Sequence, residues 1–115
     1  MGVQEEKLEE AITKFCNEMG FERDVYLKIL INALVDIAKD VELLRAGITS
    51  GDMNTIQQIS HRIKGASSNL RLNDIVLVAT ELNTLAKQGQ EVSRYPSLYV
   101  QIEAAINIYQ QALEK

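Results

Sequence analysis

Several things are scarce in this sequence, and each shortage narrows what the chain can be. Cys16 is the only cysteine, so no internal disulfide can form, which fits a reducing compartment. Pro96 is the only proline and tryptophan is absent, while Leu, Ile, Ala, Glu, Lys and Gln are plentiful. That composition favours long, uninterrupted helices. No apolar run approaches the roughly 20 residues needed to cross a bilayer. A secretory leader is not expected either, because the first turns carry Glu5, Glu6, Glu9 and Glu10 in an amphipathic pattern. Met1-Gly2 invites an N-myristoylation reading, but that pattern wants Ser or Thr at position six, where Glu6 stands. Positive charge is in the minority, with 12 Lys and Arg against 16 Asp and Glu. Nucleic acid is therefore not the expected ligand, since phosphate binding needs a concentrated basic surface. Histidine is the scarcest chemical group of all: His61 stands alone.

What is present is helical periodicity. At 115 residues the chain can build one core, so residues 1–115 are expected to form a single domain. Leu8, Ile12, Phe15 and Met19 recur at spacings of four, three and four, and predict a helix over about 4–19 that stops at Gly20. Cys16 borders this stripe and is expected to be a buried structural thiol. A second helix, which Asp24 could cap, carries Leu27, Leu30, Ile31, Leu34, Ile37, Ala38, Val41, Leu44 and Ile48. It ends at Ser50-Gly51-Asp52, where either Ser50 or Asp52 could cap the next helix. Ile56, Ile59, Ile63, Ala66 and Leu70 form the third stripe. Asn73 would cap a fourth helix bearing Ile75, Val78, Leu82 and Leu85, ended by Gly89. After a polar, irregular segment over 88–95, Pro96 opens a fifth helix with Leu98, Ile102, Ala105, Ile106, Tyr109 and Leu113 on one face. The expected fold is all-α: an antiparallel four-helix bundle over about 21–114, with an additional short N-terminal helix covering one end.

Function concentrates in the third helix. Gly65 lies in what reads as its middle, where glycine costs roughly 1 kcal/mol relative to alanine and so calls for a packing or functional reason. At about 100° per residue the apolar stripe centres nearly opposite His61. Gln57, Lys64, Gly65 and Ser68 share the outer face with His61, and none is a bulky apolar residue. Reflecting the third and fourth helices about their turn near Leu72 brings Asn83 level with His61, Lys87 level with Gln57, and Ser68 near Val76. The result is a basic patch on an acidic chain, with Arg62 and Arg71 at its margins. Val76 and Leu77 lie off the fourth stripe, and either widen the core, the favoured reading, or serve a partner.

An exposed imidazole near pH 7 is a nucleophile as well as a base. A lysine one turn on can neutralise charge on a phosphoryl group bonded to it. A glycine beside it lets another surface close over the nitrogen. There is no phosphate-cradling glycine loop and nothing suited to hold ATP with magnesium. A phosphoryl group on His61 would therefore have to arrive from another domain.

His61-x-x-Lys64-Gly65, set in the third helix of such a bundle, resembles the histidine phosphotransfer (HPt) domain of bacterial multistep phosphorelays. The resemblance spans roughly Phe21 to Leu113. It implies that His61 accepts the phosphoryl group on Nε2, that Lys64 stabilises its charge, and that Gly65 admits the partner. Asn83 stands where the family often has a glutamine that hydrogen-bonds near the histidine, and Lys87 where a further basic residue is often found. One departure is plain: Arg71 replaces a glycine usual ten residues after the histidine, which bears on how the third helix ends.

The partners so implied are response-regulator receiver domains, whose aspartate and bound magnesium supply the electrophile. Arg62, Arg71, Val76 and Leu77 are candidate partner contacts. The chain would be a carrier and not an enzyme, without a cofactor or metal of its own, monomeric, and without membrane contact. It would be cytoplasmic, either free-standing or as the cytoplasmic domain of a membrane-bound hybrid sensor kinase. Competing readings fare worse. A di-metal bundle would want Glu-x-x-His ligands, yet Gln58 precedes His61 by three and there is no second histidine. The dimerisation hairpin of a sensor kinase fits poorly, given Arg62 after the histidine and no nearby proline. The remaining alternative is a non-catalytic helical interaction or oligomerisation module.

Overall fold

The computed structural model describes residues 2–89 and 92–114, and among these residues all regular structure is helical. In chain order the helices are α1 (Val3–Met19), α2 (Arg23–Ser50), α3 (Met53–Asn69), α4 (Asn73–Gln88) and α5 (Tyr95–Leu113). The expected irregular stretch over 88–95 is mostly ordered: Gln88 closes α4, Gly89 caps it, and Val92–Arg94 make one 3-10 turn. Residues 90 and 91 lie outside the described part.

Each helix of the bundle packs on its sequence neighbour, and α5 returns to α2, closing a four-helix ring. The inner faces carry the expected stripes. Leu30, Leu34, Ile37, Val41 and Leu44 of α2 meet Ile56, Ile59 and Ile63 of α3, with Ile75, Leu82, Leu98, Ile102 and Ile106 from the other two helices. At 17 residues α1 is as long as α3 and longer than the 16-residue α4, so it is not the short extra helix expected. It lies across the end where α2 begins and α3 turns into α4. Leu8, Ala11, Ile12 and Phe15 are buried there, and the Phe15 ring centroid is 5.0 Å from that of Tyr26. Ion pairs from Lys7 to Asp74 (2.6 Å) and from Arg71 to Glu18 (3.1 Å) fasten α1 to the start of α4 and the turn before it.

The ends of the helices differ in part from the expectations. Asp52, not Ser50, caps α3: its carboxylate accepts from the Thr55 N–H at 3.2 Å and the Thr55 hydroxyl at 2.8 Å. These bonds hold the Asp52 carboxyl below its usual range. Asp24 does not cap α2. Glu22 occupies that position without a side-chain bond, and Asp24 falls in the first turn, where its charge still faces the positive end of the helix dipole. Asn73 is likewise one residue late as a cap. Leu72 is driven fully into the core and starts α4 itself.

Two stripe residues are exposed, and the bordering cysteine is less buried than expected. Ile31 is 52% exposed, because it sits about 100° round the helix from Leu30, on the side away from the core. Met19 is exposed at the last residue of α1, beyond the reach of the core below it. Cys16 is only partly buried, packed against the core's edge.

Candidate functional site

His61 stands at the midpoint of α3 and is exposed, while Ile56, Ile59 and Ile63 of the same helix are buried. Helix geometry therefore turns the imidazole away from the core. Lys64 and Gly65 follow one turn on, the lysine half-buried and the glycine exposed. A Cβ built on Gly65 would meet nothing within 4 Å. The fold thus has no packing reason for glycine there. Ser68 is exposed and Gln57 half-buried on the same helix.

On the α4 flank the side chain of Asn83 is turned inward. Asn83 does not lie open beside the imidazole; it is only 4% exposed. Its Nδ2 donates to the Gln57 carbonyl at 2.8 Å and lies 3.4 Å from Ser60 Oγ. Lys87 is exposed in the last turn of α4. The apolar pair beyond it splits: Val76 is half-buried and Leu77 is 71% exposed, so Leu77 does not widen the core. Leu77 is two residues from Ile75 and from Ala79, and a helix turns it well away from the face those two bury.

Both marginal arginines are engaged by the fold. Arg62 leans to α2 and donates twice to Asp40, at 2.5 and 3.1 Å. The bonded carboxylate raises the Arg62 guanidinium further above its ordinary value. Asp40 and Arg62 stand symmetrically about Gly51, so reflecting the α2–α3 hairpin about its turn finds this pair from sequence. Arg71 resolves the missing glycine. It adopts the left-handed conformation (φ 63°) that glycine would fill at no steric penalty. Its guanidinium donates to the carbonyls of Ser68 (3.2 Å) and Asn69 (2.8 Å), and to Glu18 (3.1 Å). It also sits 5.8 Å from the Phe15 ring centroid. A further carbonyl at this helix end, that of Leu70, accepts the buried Tyr26 hydroxyl at 2.7 Å. The α3 C-terminus is closed by side chains from α1, α2 and the turn itself.

Ser60, fully buried next to His61, and Ser67, equally buried one heptad on, had no apolar signal to mark them. Among the described residues no three His, Cys, Asp or Glu side chains are arranged to hold a metal ion. Nor is any described helix long and apolar enough to cross a membrane.

The sequence matches the family model of the Hpt domain over residues 28–112. The chain belongs to the Hpt-domain family. The matched region runs from within α2 through nearly all of α5, so α1 lies outside it. Its role is phosphotransfer in phosphorelays, as a carrier domain, and receiver domains are the partners with which Hpt domains work. A solved structure, that of histidine-containing phosphotransfer protein B (HptB) from Pseudomonas aeruginosa PAO1, superposes with a TM-score of 0.75 at 24% identity. The likeness covers 91% of this chain and 89% of that one, and it shows that the Hpt helical bundle is shared. No curated protein matches the sequence.

Proposed function

We propose that this Hpt chain is a phosphorelay intermediate, taking a phosphoryl group from the aspartate of one receiver domain onto His61 and passing it to the aspartate of another. The observation that carries this reading is the exposed His61 at the middle of α3, beside a Gly65 that nothing in the fold requires. Residues 1–115 act as one domain in this reading.

The chemistry follows from the atoms. Nε2 of neutral His61 attacks the phosphorus in line, the Nε2–P bond forming as the P–O bond to the aspartyl carboxylate breaks. The carboxylate leaves with the electron pair, and Nδ1 keeps its proton. Charge on the phosphoryl oxygens would be neutralised in part by a magnesium ion that the receiver supplies. The ammonium of Lys64, one turn from His61, takes over part of that task on the acquired group. Gly65 leaves the space into which the receiver's loops close, which turns an encounter into an aligned, effectively unimolecular step. Ser68 and Gln57 border this space on α3, and exposed Leu77 offers an apolar contact on α4. Lys87 supplies positive potential toward the start of α3, suited to the acidic mouth of a receiver. Arg62 and Arg71 contribute by charge rather than by new hydrogen bonds, since the fold already holds both guanidinium groups. The phosphoryl group originates in a kinase acting upstream.

The test is a two-step transfer. A phosphorylated receiver is mixed with this chain, the labelled chain is isolated, and a second receiver is added. The expected label on the chain is acid-labile and alkali-stable, as for a phosphoramidate, and it moves onward to the second receiver. If no receiver of the source organism gives or takes label, an interaction module without phosphoryl chemistry becomes the better account.

A further inference from the structure

The Gln57 carbonyl lies one turn before His61 and is the acceptor that helix geometry assigns to the His61 N–H. Two buried side chains converge on the same oxygen. Asn83 donates to it from α4 at 2.8 Å, and Ser60 donates its hydroxyl at 3.2 Å. The 3.4 Å contact from Asn83 Nδ2 to Ser60 Oγ closes the triangle. A carbonyl oxygen has two lone pairs, so three donors share them and the backbone at this turn is tied to α4 as well as to its own helix.

Ser60 is fully buried and Asn83 nearly so. Burying polar groups is unfavourable unless they are hydrogen-bonded, and an apolar pair of similar size would fill the space without that liability. Apart from Ser67, the other buried residues along α3 and α4, among them Ile56, Ile63, Ile75, Ala79 and Leu82, are apolar. Ser67 gives an internal control. It is equally buried but its Oγ has no partner, so smallness alone can account for it. At Ser60 the hydroxyl itself is engaged, next to the histidine.

We infer that Ser60 and Asn83 are positioning residues for His61. They fix the backbone turn from which the imidazole rises, through the Gln57 carbonyl, and do not touch the ring or the receiver. The inference rests on His61 being the phosphoacceptor. It differs from an amide that contacts the imidazole directly: Asn83 is turned inward and acts through the main chain. In-line transfer is sensitive to small displacements of the nucleophile, so a loosened turn reduces the fraction of docked complexes that are aligned. Docking itself is unaffected, because neither buried side chain is available to a partner.

The experiment compares wild type with Ser60→Ala and with Ser60→Ala/Asn83→Leu, using a phosphorylated receiver as donor over a range of concentrations. Maximal transfer rate should fall roughly threefold in the single variant and about tenfold in the double, with half-saturation by the receiver unchanged. The His61 backbone amide resonance should shift in both variants, while resonances of α1 and α5 stay in place. Wild-type maximal rates in a folded double variant, a loss confined to half-saturation, or an unmoved His61 amide would each overturn the inference. Should the double variant fail to fold, Ser60→Ala decides on the same readings. The amide resonance needs no receiver, so it still judges the clamp if wild type takes no label, an outcome that would count against the proposed relay function instead.

Discussion

Gly47 and Gly65 both lie inside helices, and they are glycines for opposite reasons. A Cβ on Gly47 would stand 2.9 Å from Thr55 Cγ2, across the seam where α2 meets α3, so the close approach of two helices demands it. A Cβ on Gly65 would enter open space. One glycine serves the fold. The other weakens the helix and gives the fold nothing back, which points to a partner. Arg71 completes the contrast, standing at a left-handed position that suits glycine and compensating with its own side chain. Local stability and function can thus be separated glycine by glycine.

The largest effect is expected at Gly65. Replacement by leucine should slow phosphotransfer roughly hundredfold by obstructing alignment of the receiver. The same change should raise folding stability by about 0.5–1 kcal/mol, because helix propensity improves at an exposed position where a Cβ meets nothing within 4 Å. Rate measurements and urea denaturation on one protein preparation read both, and a loss of stability would erase the contrast with Gly47. Next comes Arg71. Arg71→Ala keeps the left-handed backbone and loses the carbonyl bonds and the Glu18 pair, for a destabilisation of about 2 kcal/mol. Arg71→Gly loses the same bonds but relieves roughly 1–2 kcal/mol of backbone strain, so its urea midpoint should stay close to wild type. Equal losses in the two variants would show that strain is no part of the account.

Gly47→Ala should destabilise by about 1 kcal/mol, overpacking at the seam outweighing the gain in helix propensity, with transfer rates unchanged. The crowding atom belongs to Thr55, which is stiff by its branching and is held by the Asp52 cap. That leads to the smallest effect. Asp52 has a lowered carboxyl pKa in the folded chain, so its contribution is present above the unfolded carboxylate value near 4 and disappears as pH falls through the folded value. The stability gap between wild type and Asp52→Asn should therefore be level above about pH 5 and shrink below about pH 4. A gap that widens in acid would mean the ionised cap is not what holds Thr55.

Local signals were legible in the sequence, and contacts between distant segments mostly were not. The stripe Ile56, Ile59, Ile63 sufficed to turn His61 outward, and Ser50-Gly51-Asp52 marked the break and offered the cap. Asn73 failed as a cap because tertiary packing decided the boundary, Leu72 being pulled into the core ahead of it, whereas Asp24 simply falls inside the first turn of α2. Asn83 was found by reflecting the hairpin, but its inward turn depends on a hydrogen bond to a main-chain oxygen of another helix, which side-chain patterns do not encode. The closure of α3 by Tyr26 and by Arg71 with Glu18 joins residues 44 and 53 positions apart. Nothing in a window of helical length could reveal it.

The central claim is that His61 carries the phosphoryl group. The most direct measurement exposes wild type and His61→Gln to the same phosphorylated receiver and maps the label in the peptides. Wild type should acquire an acid-labile label confined to the peptide holding His61, and His61→Gln, folded to the same extent, should acquire none. Label that persists in His61→Gln, or maps to another residue, would contradict the account.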